Sequence, residues 1–399
     1  MTPAARFRPT DERHRVTTLE LLFDLVFVFA FTQVTALMAA DPTPTGALRG
    51  LVLLALLWWA WCSYAWLGNQ AHADEGIVRL TLFAAMAAMF VVALTIPESF
   101  ADLPGGLYAP FVLATCYAIV RLVHLACYLV AAAGDDGLRR QLLLTAVPVV
   151  AATGLLVAGG VLGPPWQTAL WALALLVDYA GIWLTGTSGW RLPSAGHFAE
   201  RHGLIVIVAI GESLVAIGVG VAEQPVSLAV IAASVLGVGV AVCLWWLYFD
   251  VVAHVAERTL ASTQGQERSR LARDSYTYLH FPIVVSIIFI ALGLKKALEY
   301  VSDTTDHSLA DPLTGVPLVA LYGGVAVYLL GHVAFRRRNI GTWNPHRSLA
   351  AVLLLALVPL AWQLPALAAL ALVGAVLAGL VGYEMLRFAE ARDHVRHSH

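Results

Sequence analysis

Apolar stretches long enough to cross a bilayer follow one another along almost the whole chain. Runs of about 18 to 25 apolar residues between charged, proline or glycine residues are typical of membrane-spanning helices. Twelve such segments are predicted, near residues 18–39, 47–67, 78–98, 107–131, 139–161, 166–186, 203–222, 226–250, 276–298, 313–335, 347–364 and 366–388. Gln363-Leu364-Pro365 separates the last two, so this pair is the least regular. The pattern predicts an all-α polytopic membrane protein with about 12 transmembrane helices.

The composition excludes a soluble globular protein. Of the 399 residues, 59% are hydrophobic and only 13% are charged, whereas charged residues make up about a quarter of an average soluble domain. The net charge of −2 is too small to indicate nucleic-acid binding. The 4 cysteines lie in apolar runs without a CxxC pair, so neither a disulfide framework nor a metal site is predicted. The chain also lacks the common nucleotide-binding and hydrolase motifs, and no cofactor is predicted.

The basic residues indicate the orientation of the helices. If the N-terminus is inside, most of the 24 Lys and Arg residues lie on inner segments, and the outer segments hold only Arg49, Lys295 and Lys296. Cytoplasmic segments of membrane proteins carry the excess of Lys and Arg. The distribution predicts an even number of spans in the cell membrane, with both termini in the cytoplasm.

An internal repeat is indicated when the chain is compared with itself. A shift that places Glu20 on Glu200 also aligns apolar positions of the first and seventh segments, and the pair Trp58-Trp59 corresponds to Trp245-Trp246 at a similar shift. Because each half would contain six helices, both halves would have the same orientation, related by a pseudo-two-fold axis along the membrane normal. The predicted halves are residues 1–195 and 196–399.

Four separated motifs carry a family resemblance. They are TTLELLFDLVFVFAFTQ at 17–33, WWAW at 58–61 with Tyr64, Trp66 and Asn69, HFAERHGLIVIVAIGES at 197–213, and WWLYFD at 245–250. In this order they resemble the bacterial low temperature requirement protein A family over nearly the whole chain. The resemblance implies a polytopic membrane protein. Since that family is named for a cold-growth phenotype and has no settled biochemical activity, it implies no substrate.

Six tryptophans lie toward the ends of predicted helices. Indole rings favour the interface between lipid and water. An interfacial belt is therefore predicted for Trp58, Trp59, Trp61, Trp66, Trp245 and Trp246.

Three ionisable residues lie near the middle of predicted spans. They are Glu212 in the seventh, Asp178 in the sixth and Arg121 in the fourth. A charge at this depth costs several kcal/mol unless it is paired or hydrated, so such residues are functional candidates. One arginine with two carboxylates leaves one negative charge, enough to hold a proton or cation. A structural Arg121–Asp178 ion pair is the alternative. The residues predicted to bind or couple substrate or ion are Glu212, Asp178, Arg121, Asp24 and Ser213.

A second polar group is predicted at the cytoplasmic ends of the helices. Odd-numbered helices start on that side and even-numbered helices end there, so a vestibule is predicted from Glu20, Glu200, Arg201, Asp250, His254 and His280. For Glu20 an alternative is a capping box with Thr17, in which the two side chains satisfy free amides at the helix start. Asp24 lies one turn deeper, beyond the reach of a cap.

These features favour a secondary transporter or permease, and the mid-membrane carboxylates favour coupling to protons or another cation. Twelve helices, parallel halves and charges near the midplane suit alternating access about a central site. Two alternatives stay open: an ion channel with its pore between six-helix repeats, and an integral membrane enzyme that modifies lipids. The expected partners are membrane lipids and a small solute or ion, with a homo-oligomer possible and no nucleic acid.

Overall fold

The computed structural model describes residues 10–222, 224–303 and 305–387. Within these ranges the chain forms α-helices and no β-strand. The helices are α1 Thr18–Ala40, α2 Pro44–Gln70, α3 Gly76–Thr95, α4 Ala109–Ala131, α5 Asp136–Leu162, α6 Trp166–Thr185, α7 Ala195–Gly220, α8 Leu228–Phe249, α9 Val252–Ser262, α10 Gly265–Leu271, α11 His280–Ser302, α12 Gly315–Ile340, α13 Pro345–Ala361 and α14 Ala366–Arg387. A π-helical segment, Ala272–Leu279, joins α10 to α11.

Helices of membrane-spanning length and apolarity account for most of the described chain. Eleven meet both criteria in the described ranges, when α8 is taken together with α9 and α10 together with α11. Helix α13 is apolar but has only 17 residues, or about 26 Å of helix, against a hydrocarbon core of about 30 Å. The prediction of an all-α, multi-pass membrane protein is confirmed, and α13 is the short member of the irregular last pair.

Helix α7 starts earlier than predicted, and this difference affects the candidate site. The apolar run predicted a start near residue 203, but α7 begins at Ala195. The Ser194 hydroxyl accepts from the His197 backbone N–H at 3.2 Å, as an N-cap does. Polar residues therefore occupy the first two turns of α7, and His197 and Arg201 lie on one helical face rather than in a loop.

The described chain forms two compact units. The first comprises residues 10–37, 48–201 and 260–273, and the second comprises residues 38–47, 202–222, 224–259, 274–303 and 305–387. The division into repeats 1–195 and 196–399, with a pseudo-two-fold axis, stays a prediction.

Helix α2 is the central helix of the first unit. It is the most deeply buried of the candidate spans. Its four tryptophans, Trp58, Trp59, Trp61 and Trp66, are only 0–8% exposed, and Trp59 stacks on Tyr179 of α6 at 3.8 Å between ring centroids. The interfacial belt was therefore the wrong prediction for these four rings, because α2 is surrounded by protein rather than lipid.

Helices α11 and α12 form the core of the second unit. A Cβ atom at Gly293 would lie 2.6 Å from the Leu321 Cβ, and one at Gly324 would lie 2.8 Å from Ile290 Cγ1. Small residues allow such close approach between membrane helices, where packing replaces the hydrophobic effect. This interface leaves no room for a larger side chain at either glycine.

Candidate buried charge cluster

The first turns of α1 and α7 are joined by two polar contacts that lie one helical turn apart. Glu20 accepts from His197 Nε2 at 3.0 Å, and one turn farther along both helices Arg201 Nη2 donates to Asp24 Oδ1 at 2.9 Å. Glu20 and Asp24 are four residues apart on α1, and His197 and Arg201 are four residues apart on α7. Each pair therefore lies on one face of its helix. All four residues are buried, with exposures of 2% or less. We call Glu20, Asp24, His197 and Arg201 the charge cluster.

Glu20 has two roles in this arrangement. Its carboxylate accepts from the Thr17 backbone N–H at 2.9 Å, and the Glu20 N–H donates to the Thr17 hydroxyl at 3.3 Å. These are the two bonds of a capping box, so the capping interpretation holds. The same carboxylate also faces Arg201 Nη1 at 3.7 Å, which makes it a member of the charge cluster as well.

Only one of the two carboxylate oxygens of Asp24 has hydrogen-bond partners in the described chain. Its Oδ1 atom accepts from Trp61 Nε1 at 2.8 Å as well as from Arg201. Its Oδ2 atom is buried and has no hydrogen-bond partner among the described residues. The Arg201 guanidinium also lies 5.5 Å from the Trp61 ring centroid, a cation–π distance. Asp24 therefore keeps one buried acceptor atom available for a proton or a cation.

Asn69 determines which nitrogen of His197 carries the proton. The Asn69 amide nitrogen donates to the Ser194 carbonyl at 2.6 Å, and its oxygen faces the Ser194 N–H at 3.4 Å. This orientation directs the amide N–H toward His197 Nδ1 at 3.2 Å. Nδ1 is therefore an acceptor, and the Nε2 proton points at Glu20. His197 is a neutral hydrogen-bond donor in this arrangement.

The charge cluster carries one surplus negative charge. Two carboxylates, Glu20 and Asp24, share the single guanidinium of Arg201, and His197 is neutral. His14, Glu20 and His197 also place possible metal-ligand atoms within 4.8 Å of one another. However, a metal ligand needs a free lone pair, and His197 directs its Nε2 proton at Glu20 while Arg201 adds a nearby positive charge. The arrangement suits a proton or a monovalent cation better than a divalent metal ion.

The segment before α1 covers the Glu20 end of the cluster. The His14 ring lies 4.5 Å from the His197 ring and 4.6 Å from the His72 ring. Burial is the largest cause that lowers the pKa of His14, to about 4, although the nearby carboxylates of Glu20 and Asp74 act in the opposite direction. His14 is therefore neutral at physiological pH.

His14 is expected to make stability depend on pH. An unfolded chain binds a proton at His14 below about pH 6.5, but the folded protein does so only near pH 4. Stability is therefore lost as the pH falls through this window, and His14 adds no pH dependence above it. Thermal unfolding of the wild type and of His14→Gln at about pH 7 and about pH 5 checks this, because the wild type should lose more stability between the two values. Equal losses would contradict it.

Arg121 and Asp178 form a separate buried pair in the first unit. Arg121 Nη2 donates to Asp178 Oδ2 at 2.8 Å, and the side chains are 3% and 6% exposed. Arg121 also donates to the Ser63 hydroxyl on α2. This pair is balanced in charge, unlike the cluster at Asp24. The predicted structural ion pair is present, while the proposed coupling role of these two residues stays a prediction.

The other predicted site residues are distributed as follows. Glu212 and Ser213 are buried in the middle of α7, with exposures of 1% and 0%, and the Ser213 hydroxyl has no partner in the described chain. His280 is fully buried and lies 2.8 Å from the Tyr248 hydroxyl. The remaining members of the predicted vestibule differ in exposure: Asp250 is 8% exposed at the end of α8, whereas Glu200 and His254 are exposed. The structure brings Glu20, Asp24 and Arg201 together, and the roles of the others stay predictions.

The second unit has its own balanced ion pair. Arg347 of α13 binds Glu384 of α14 through two parallel hydrogen bonds of 2.8 Å. Arg347 Nη1 also donates to the Leu247 carbonyl of α8 at 3.0 Å and lies 3.0 Å from His332 Nδ1 of α12. Such bidentate pairing fixes geometry as well as charge. This network ties the short helix α13 to three neighbours.

Comparison with known proteins identifies the family. The model of the bacterial low temperature requirement A protein family, LtrA, matches residues 15–382. The chain belongs to the LtrA family. A protein of Rhizobium meliloti (strain 1021), described as uncharacterized, is 29% identical over 322 residues, which is 76% of this chain and 75% of that protein. No solved structure matches the chain.

The charge cluster of this LtrA family member and its hydrogen-bond partners include residues that the sequence analysis passed over. His197 and Asn69 were not candidates, and Trp61 was assigned to the interface. A usable signal was present, because His197 and Arg201 repeat the four-residue spacing of Glu20 and Asp24 at the start of another helix. The late predicted start of α7 hid it.

Proposed function

We propose that this protein is a secondary transporter coupled to protons or another small cation, with the charge cluster as its coupling centre. One observation carries the proposal: two buried carboxylates share one guanidinium, and Asp24 Oδ2 has no partner in the described chain. An uncompensated charge buried in a membrane protein costs several kcal/mol. A bound proton or cation removes that cost.

Occupancy of Asp24 would change the contacts of Arg201. When Asp24 is charged, Arg201 is attracted to both carboxylates. When a proton or cation neutralises Asp24, Arg201 is attracted mainly to Glu20. The Glu20 Oε1 atom is 3.7 Å from Arg201 Nη1. A ligand that binds two arrangements with different affinity shifts their populations. Binding and release at Asp24 would therefore bias how the first turns of α1 and α7 pack.

The wider site keeps the assignments drawn from the sequence as part of the proposal. Glu212, Asp178, Arg121 and Ser213 are proposed to contribute to the binding or coupling of a small solute or ion. We place the protein in the cell membrane with both termini in the cytoplasm, on the distribution of basic residues. Membrane lipids are its expected surroundings, and a homo-oligomer fits the same proposal.

Current measurements on a solid-supported membrane test this function. Proteoliposomes are exposed to rapid jumps of H⁺, Na⁺ or K⁺, each with and without a panel of small solutes. A transporter gives transient currents that saturate with concentration and depend on the driving gradient. A sustained current that does not saturate would favour a channel instead. Wild-type vesicles that match protein-free vesicles under every condition would count against both.

A further inference from the structure

A half-open pocket lies in the second unit, between the α8–α9 junction and the C-terminal end of α12. Its walls are apolar except for two side chains, Arg336 and Asn339. Val251, Val252 and Val255 line one side, and Phe335, Arg336 and Asn339 line the other. The pocket therefore combines an apolar groove with a cation and an amide.

Arg336 has no carboxylate partner of its own in the described chain. Its Nε atom donates to the Thr342 hydroxyl at 2.9 Å, which leaves the two Nη groups. The nearby carboxylate of Glu384 is already held by two hydrogen bonds from Arg347. Because Glu384 is already paired with Arg347, the charge of Arg336 is left uncompensated at this end of α12, which favours an anion.

Asn339 offers the complementary hydrogen-bond acceptor. Its amide nitrogen donates to the Phe335 carbonyl at 2.7 Å, which fixes the orientation of the amide. Its Oδ1 atom is then buried without a partner in the described residues. A buried acceptor normally finds a donor. A ligand with both an anionic group and a hydroxyl would meet the needs of Arg336 and Asn339 together.

The position along α12 indicates what kind of anion this is. From Gly315 to Arg336 the helix rises about 32 Å, slightly more than the hydrocarbon core of about 30 Å. Arg337 lies 5.7 Å from the ring of Trp343, which is 53% exposed. An exposed tryptophan beside basic residues is typical of the interfacial layer. Arg336 therefore lies at headgroup depth, where lipid phosphates are abundant.

We propose that this pocket binds an anionic phospholipid with a hydroxylated headgroup, of which phosphatidylglycerol is the simplest. The phosphate accepts from the Nη groups of Arg336, and a headgroup hydroxyl donates to Asn339 Oδ1. One acyl chain lies along Val251, Val252 and Val255. The proposal is independent of the transport function.

Native mass spectrometry of the full-length protein, stripped of lipid in detergent and titrated with phosphatidylglycerol, tests the proposal. Arg336→Gln is expected to weaken binding about tenfold or more, the effect of losing a charge-assisted hydrogen bond. Val255→Asp, which places a carboxylate in the groove, is expected to weaken it as well and serves as a second variant if the first is unstable. Phosphatidylcholine with the same acyl chains should bind more weakly than phosphatidylglycerol.

Arg337→Gln is the matched control, because Arg337 is the next residue along the helix and carries the same charge on an exposed side chain. It should bind phosphatidylglycerol like the wild type. Inorganic phosphate should not displace the lipid, since the apolar groove contributes to binding. The proposal is overturned if both pocket variants bind like the wild type, if Arg337→Gln loses as much as Arg336→Gln, or if inorganic phosphate competes.

Discussion

Replacing Arg201 by glutamine is expected to lower the free energy of unfolding by about 3 to 5 kcal/mol, because it leaves two buried carboxylates without a cation. The Arg201 side chain is 1% exposed and contacts both Asp24 and Glu20. Water cannot replace it at that depth. The loss can be measured by unfolding the purified protein in mixed micelles or by steric trapping in a bilayer.

Two further variants separate the effect of the cluster from a general effect of losing an arginine. Arg191 pairs with Asp135 at 2.9 Å, but its side chain is 66% exposed, so Arg191→Gln should cost no more than about 1 kcal/mol. Adding Asp24→Asn to Arg201→Gln should recover part of the stability by removing one of the stranded charges. If Arg201→Gln is as mild as Arg191→Gln, the cluster does not have the charge balance described.

Replacing Arg121 by methionine has the second large expected effect. It leaves Asp178 buried without its cation and is expected to cost about 3 to 5 kcal/mol. Replacing both partners, in Arg121→Met with Asp178→Leu, should restore most of the stability, since a balanced buried pair can be exchanged for apolar residues at little cost. The same unfolding measurement provides the comparison.

Combining Arg121→Met with Arg201→Gln tests whether the pair acts independently of the charge cluster. The two networks contact α2 at Ser63 and Trp61, two residues apart. Arg121→Met and Arg201→Gln should nevertheless destabilise additively if each carboxylate depends only on its own guanidinium. A double Arg121→Met and Asp178→Leu variant that is no more stable than Arg121→Met alone would contradict the structural ion pair.

Much of the fold could be predicted from the sequence because the membrane imposes a strong pattern. Each span must be long, apolar and internally hydrogen-bonded, so all twelve predicted segments correspond to helices of the structure. Polar extensions of helices carry no such signal. The first turns of α7 and residues 265–275 were therefore placed outside the predicted spans.

The candidate site could be predicted only in part. Glu20, Asp24 and Arg201 were recognisable because charges near apolar runs are rare. Their mutual contact depends on how α1 packs against α7, which composition does not reveal. The role of Trp61 was misjudged for the same reason, since a tryptophan near a helix end can face either lipid or a buried carboxylate.

The most direct test of the coupling centre is a flux measurement with Asp24→Asn. Proteoliposomes containing a pH-sensitive dye are given an imposed pH gradient and membrane potential, and vesicles containing a Na⁺- or K⁺-sensitive dye are given the corresponding gradient, each with and without the panel of small solutes. Asp136→Asn is the matched control, because Asp136 is an exposed carboxylate at the start of α5. Wild type and Asp136→Asn are expected to move the driving ion at equal rates, and Asp24→Asn to fall to the rate of protein-free vesicles. Wild-type flux in Asp24→Asn would contradict the proposed coupling centre.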